Sequence, residues 1–295
     1  FNYSEYPVAL NKEGDIIYYH QKEIKDYEKL PYQKYKLTED EAEQVYRVIR
    51  GTKDSFYPGK ALEYYQKAKE DLKEKEGKII HSNSLLFMYP LDIPNQRQFI
   101  ICTGMAGSGK SWWIGSYIKL YLQLFPNHRI YIFSKKDFDE AYDIQFRAEF
   151  KDKTIVRIPL DESFLDTDID ASDFKKSLCI FDDIENIRDK NIKKKVYQLK
   201  DDLSMTGRVN DTYILLANHL AMNYRETRSD LGECDGVVVF QAGNKLHVNN
   251  LLKTHVGLDP RQIDQIFETL KSSRWIFVKK TYPMYYVSEH SVFLF

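Results

Sequence analysis

The run Gly104-Met105-Ala106-Gly107-Ser108-Gly109-Lys110-Ser111 fits the pattern G-x-x-x-x-G-K-[ST] at every specified position. Each residue type has a chemical reason. Glycines let the backbone curl so that several N–H groups face the phosphate oxygens of a nucleotide such as ATP. The N-terminus of the following helix adds a partial positive charge. Lys110 is expected to reach the β- and γ-phosphates, and the Ser111 hydroxyl to ligate Mg²⁺. The chain has only 13 glycines in 295 residues, so a glycine turn with no ligand is a poor account of a match that also sits between an apolar run and an amphipathic one.

A second acidic element follows at Leu178-Cys179-Ile180-Phe181-Asp182-Asp183, an apolar strand ending in two carboxylates. If it runs parallel to the strand before the glycine loop, Asp182 stands at the carboxyl edge beside the metal. There it would accept a hydrogen bond from metal-bound water or from Ser111. Asp183 is placed to orient the attacking water as general base, with Glu185 as the second candidate for that work. The competing structural reading is a helix N-cap after a buried strand.

The apolar run Thr212–Ala217 ends in Asn218-His219. An amide or imidazole at that tip would touch the γ-phosphate or the water, the sensor position of ATPases with an extra strand between the two phosphate-binding ones. A plain loop start is the alternative. Arg225 and Arg228 follow, and these are the first choices for an arginine supplied to a neighbouring subunit, ahead of Arg208. Lys193, Lys194, Lys195 and Lys200 give the helix 191–206 the best basic patch in the chain, readable as a DNA-backbone contact or as a solvated face. Of Trp112 and Trp113, at least one is expected in the core of the helix.

These groups need a scaffold that brings strand ends together. From 78 onward, apolar runs alternate with helical patterns. Strands are expected at 84–89, 98–102, 129–134, 154–159, 177–182, 212–217, 236–241, 275–279 and 284–287. Helices are expected at 110–125, 137–150, 191–206, 245–255 and 260–271. That alternation implies an α/β fold with a mainly parallel sheet flanked by helices. Residues 1–77 read differently, as a small helical N-terminal region. One helix opens on the capping box Thr38…Glu41, and another runs over 60–76. The expected division is therefore 1–77, and 78–295 for the ATPase domain with its C-terminal helices and edge strands.

A net charge of −1 gives no whole-molecule attraction to nucleic acid or membrane. Cys102, Cys179 and Cys234 are far apart and match no zinc spacing, which favours a reducing compartment. No stretch approaches the ~20 apolar residues of a membrane span, and no signal peptide is legible.

The order of motifs resembles the FtsK–HerA superfamily, and within it the genome-packaging ATPases of large DNA viruses, including giant viruses. The residues that carry the likeness are Gly104–Ser111, then Ile180–Asp183. Met205-Thr206-Gly207-Arg208 comes next, leading into a strand that ends Asn218-His219, followed by Arg225 and Arg228. It covers about 84–241. The resemblance implies a RecA-like core, a homo-oligomeric ring with an arginine acting in trans, and translocation of double-stranded DNA into a preformed capsid. It also implies capsid components as partners and residence in the host cytoplasm or the virion. Val209 stands where relatives often have His, and Asn218-His219 where many have Gln. A nucleoside or nucleotide kinase, and a non-motor ATP-dependent assembly switch, are the rival readings. Kinases usually add an arginine-rich lid, and no compact arginine cluster late in the chain supplies one.

Overall fold

The computed structural model describes residues 6–19, 30–49, 61–75, 79–90, 97–140, 155–219, 228–241, 244–281 and 283–294. Its strands begin with β1 (Tyr6–Asn11), β2 (Ile16–Tyr19), β3 (Ile79–His81), β4 (Leu86–Met88) and β5 (Phe99–Thr103). Next come β6 (Arg129–Ser134), β7 (Ile155–Pro159), β8 (Ser177–Asp182) and β9 (Thr212–Asn218). The last four are β10 (Gly236–Phe240), β11 (Trp275–Lys279), β12 (Tyr285–Ser288) and β13 (Ser291–Leu294). The helices are α1 (Glu39–Ile49), α2 (Leu62–Lys75), α3 (Lys110–Leu124), α4 (Lys190–Asn210), α5 (Arg228–Glu233), α6 (Lys245–Leu251) and α7 (Pro260–Leu270).

β5, β8, β9 and β10 are buried along their whole length, which is why each reads as an unbroken apolar run rather than an alternating one. They belong to a sheet of 10 strands in the order β3-β13-β12-β11-β10-β5-β9-β8-β6-β7. From β10 to β7 every neighbouring pair is parallel. From β10 outward through β11, β12, β13 and β3 every pair is antiparallel. The α/β class with a mainly parallel core is thus as expected, with an antiparallel extension at one edge.

Alternate residues of each strand feed two cores. On one face Ile100, Cys102, Ile132, Ile180 and Leu215 meet Trp113, Ile114, Tyr117 and Tyr121 of α3. On the other Phe99, Ile101, Phe181 and Leu216 meet Ile192, Val196, Leu199 and Leu203 of α4, with Ile263 and Ile266 of α7. Trp113 is core whereas Trp112 is 55% exposed, as the helical spacing requires. All three cysteines are buried thiols. Among the described residues no helix is long and apolar enough to cross a membrane.

The N-terminal region is not only helical. α1 and α2 do form, and Thr38 and Glu41 close the capping box in both directions, at 2.7 and 3.3 Å. Their buried residues Ala42, Val45, Tyr46, Tyr64 and Ala68 make a separate small core. But β1 and β2 form a hairpin, and β1 pairs on its other side with β4, in the order β2-β1-β4. Val8 and Ala9 are fully buried against the α3 side of the main sheet. The sequence conceals this because a two-stranded hairpin gains its third strand only from beyond residue 77, and Pro7 masks the strand pattern. The helix expected over 137–150 lies mostly outside the described residues.

Candidate nucleotide site

Register decides which side chains share an edge. Thr103 pairs with Asn218, Ala217 with Asp182, and Asp182 with Ser134. The carboxyl ends of β5, β9, β8 and β6 therefore stand in a row, the place where open α/β sheets bind ligands. β9 lies between β5 and β8, as the sensor reading requires.

The loop leaving β5 opens at Gly104, whose N–H donates to the Asn218 carbonyl at 3.2 Å. Gly107 and Gly109 take φ of 75° and 100°, a left-handed backbone that lets the loop close onto the start of α3. Met105, Ala106 and Gly107 are exposed at its mouth. Inside, the Ser108 hydroxyl is buried with no hydrogen-bond partner among the described residues. An orphaned donor in a glycine loop fits a phosphate oxygen. Lys110 is buried and its ammonium donates to the carbonyls of Gly104 at 2.7 Å and Met105 at 3.3 Å. Burial pushes its pKa below the ordinary lysine value, against the pull of Asp183 and Asp182.

Asp182 and Asp183 differ although adjacent. Asp182 is buried at the strand end and its pKa is pushed up to about 6, by burial first and the Asp183 charge second, with Lys136 opposing. Ser134 Oγ donates to Asp182 Oδ2 at 3.4 Å. Asp183 has already left the strand, with φ 53° in the left-handed region and its N–H donating to the Ala217 carbonyl at 3.0 Å. Aspartate is one of the few non-glycine residues that take this conformation readily. His219 Nε2 lies 3.1 Å from Asp183 Oδ1, a buried oxygen that accepts no hydrogen bond among the described residues.

Glu185 is engaged instead. Its Oε1 accepts the His219 N–H at 2.8 Å, and Asn218 Nδ2 donates to Oε2 at 3.1 Å in the orientation that satisfies the amide. Burial raises its pKa, partly offset by the His219 N–H. His219 Nδ1 stands 3.5 Å from Lys110 Nζ. The tip of β9 thus links the glycine loop to the acidic strand, and Asn218 is buried there.

Two residues that sequence reasoning missed complete the edge. The chain leaving β6 carries Lys136 and Asp139, and Ser111 Oγ donates to Asp139 Oδ2 at 3.3 Å rather than to Asp182. Lys136 Nζ stands 3.2 Å from Asp183 Oδ2, 3.6 Å from Asp182 Oδ2 and 4.0 Å from Asp139 Oδ2. Burial works against its charge, but Asp182 and Asp183 outweigh that and hold its pKa above the ordinary lysine value. No group of three His, Cys, Asp or Glu among the described residues forms a metal cage by itself. One hydroxyl and one or two carboxylates remain, the sparse oxygen set that suits Mg²⁺ shared with phosphates and water.

The chain is 32% identical to the uncharacterized protein V3 of Sputnik virophage over 226 residues, 76% of this chain and 84% of that protein. The chain belongs to the V3 family. No family model matches it. Among solved structures it is similar to the genome packaging NTPase B204 from Sulfolobus turreted icosahedral virus 2 in complex with sulfate. The identity is 12% and the TM-score 0.43, over 67% of this chain and 96% of that one. It is also similar to the cytoplasmic domain of the Thermomonospora curvata type VII secretion ATPase EccC. Here the values are 10% and 0.45, over 73% of this chain and 28% of that one.

Other expectations fall elsewhere. Arg225 lies outside the described residues, and Arg228 opens α5 with no side chain described. The basic patch on α4 is largely occupied with structure. Lys200 is buried in an ion pair with Asp230, and Lys195 donates to the carbonyls of Phe164 and Leu165 at 2.8 and 3.0 Å. Lys193 donates to the Glu185 carbonyl at 3.2 Å. Gly207, part of the V3-family chain's Gly-Arg pair, has a packing reason. A Cβ there would lie 2.5 Å from Arg97 Cδ.

Proposed function

We propose that this chain hydrolyses ATP with Mg²⁺ and couples that hydrolysis to translocation of double-stranded DNA, in packaging a viral genome. The observation that carries the ATPase reading is the row of strand ends holding Lys110, Asp182, Asp183, Glu185 and Asn218 on one edge, with β9 inserted. The DNA-packaging part rests on the motif order that resembles packaging ATPases, in a chain whose relative comes from a virophage.

Gly104 to Ser111 cradle the phosphates, and Lys110 exchanges its two loop carbonyls for β- and γ-oxygens. Ser111 and Asp182 would hold Mg²⁺, which when bound neutralises charge on those oxygens. Asp183 takes the proton of the attacking water at Oδ1, the carboxylate oxygen with no donor. Glu185, with both oxygens engaged, orients Asn218 and His219 against the γ-phosphate and is the reserve base. Arg225 or Arg228 of a neighbouring subunit steadies transition-state charge in a homo-oligomeric ring. In this reading residues 78–295 form the motor, residues 1–77 are appended to it, capsid components are its partners, and it works in the host cytoplasm or the virion.

The test is ATP turnover with and without long double-stranded DNA, with mass in solution measured in ATP. DNA stimulation with a ring-sized oligomer supports the motor. ADP formation that depends on a nucleoside acceptor would replace it with a kinase, and slow DNA-indifferent turnover with an assembly switch.

A further inference from the structure

Lys136 is a charged group at this edge to which the proposed function gives no task. Its ammonium is surrounded by Asp183, Asp182 and Asp139 at 3.2, 3.6 and 4.0 Å. Asp139 in turn accepts from Ser111. A positive charge therefore stands 3.6 Å from the carboxylate assigned to Mg²⁺ and among its acidic neighbours. The backbone beneath it is pinned. The Lys136 N–H donates to Ser134 Oγ at 3.1 Å, and Arg157 Nη1 donates to the Lys136 carbonyl at 2.8 Å. The side chain, by contrast, is 47% exposed, so the ammonium has a path to solvent that needs no backbone change.

We infer that Lys136 is a built-in competitor of the divalent cation. It neutralises the acidic edge when no nucleotide is bound, and it must swing out before Mg²⁺ can occupy that edge. This rests on the proposed Mg²⁺–nucleotide site. It makes Lys136 a residue that sets the metal threshold. Without Lys136, Asp182 and Asp183 would repel each other more strongly at the buried strand end. With it, free Mg²⁺ has to displace a charge already in place, so the metal binds weakly until phosphate oxygens join its ligands. The edge then discriminates the metal–nucleotide complex from the bare ion.

The experiment titrates MgCl₂ alone into the nucleotide-free protein and follows the thermal unfolding midpoint. The same titration is then repeated with ATPγS present. Lys136→Met should respond to Mg²⁺ alone at a concentration about three- to tenfold lower than the wild type, from removal of one unit charge a few ångströms away. Lys136→Arg, which keeps the charge, should follow the wild type, and ATPγS binding in EDTA should be similar in all three. If the wild type shows a Mg²⁺-dependent rise with ATPγS but the Lys136→Met and wild-type curves for Mg²⁺ alone coincide, the competitor role is wrong and the metal site stands. If Mg²⁺ has no effect on any variant even with ATPγS, the metal site itself fails and this inference goes with it. Should Lys136→Met prove unfolded, Lys136→Gln carries the same comparison.

Discussion

Asp183 and Glu185 are two positions apart, yet only Asp183 presents a carboxylate oxygen without a hydrogen-bond donor among the described residues. Asp183→Asn should therefore bind ATP while turnover falls about 10²- to 10⁴-fold, the range for losing a general base. Glu185→Gln should lose less, because its oxygens serve His219 and Asn218. Single-turnover hydrolysis of both variants checks the order, and normal turnover in Asp183→Asn would transfer the role to Glu185. Asp182 makes a pH prediction. Its folded pKa of about 6 lies above the ordinary 3.8, so between those values the native state binds more protons than the unfolded one. The cost of the charged carboxyl is then full above pH 6 and fades as pH falls toward 4. Asp182→Asn should stabilise the nucleotide-free protein by roughly 1–3 kcal/mol at pH 7.5, and by much less at pH 4, in urea unfolding. Equal gains at both pH values would contradict this. The glycine loop and the acidic pair were legible because their spacing is local. Lys136 and Asp139 were not, because only the Ser134–Asp182 register brings a loop some 45 residues upstream (roughly three elements of ordinary length) to the same edge.

At the scale of elements, α4 shows how a chemical signal in sequence becomes a structural one. Its lysines suggest a nucleic-acid face, but the side chain of Lys200 is 1% exposed and paired with Asp230, itself 3% exposed. That pair ties α4 to α5, the helix that follows the segment carrying Arg225. Removing one partner leaves a buried charge, so Lys200→Met should cost about 3–5 kcal/mol. Lys200→Met with Asp230→Leu should recover most of the loss. Urea unfolding of the two variants decides it, and equal destabilisation by both would mean that packing rather than charge holds the helices together. α4 also runs to Asn210, past the expected end at Thr206, because Gly207 lies inside the helix to admit Arg97. Arg97, just before β5, donates to the Ser204 carbonyl there, a long-range contact that no local pattern shows. The parallel strands were legible to within a residue or so, since full burial leaves continuous apolar runs. β3 and β13 were missed because strands of three and four residues carry too little pattern.

Across the whole molecule, the mainly parallel half of the sheet holds the site, and the antiparallel half carries the N-terminal hairpin. Tyr6 of that hairpin packs edge-on to Tyr285 at 6.3 Å, and the Lys279 ammonium stands over both rings at 5.4 and 5.9 Å. Burial lowers the Lys279 pKa to about 8. The unfolded chain then binds the extra proton between pH 8 and the ordinary 10.5, so this group's penalty is relieved as pH rises through that window. Lys279→Met should raise the unfolding midpoint at pH 7, with the advantage shrinking by pH 10. A constant advantage would show that charge burial is not its cause. Alternation of strands and helices made the architecture readable, whereas the hairpin depends on a partner strand outside its own region. Everything functional depends on a triphosphate held between Lys110 and the Asp182 edge. Calorimetric titration of ATPγS, with and without Mg²⁺, into wild type and Lys110→Ala tests that most directly. The wild type should bind about tenfold or more tightly with Mg²⁺, and Lys110→Ala should show no binding. Equal binding by the two proteins would contradict the account.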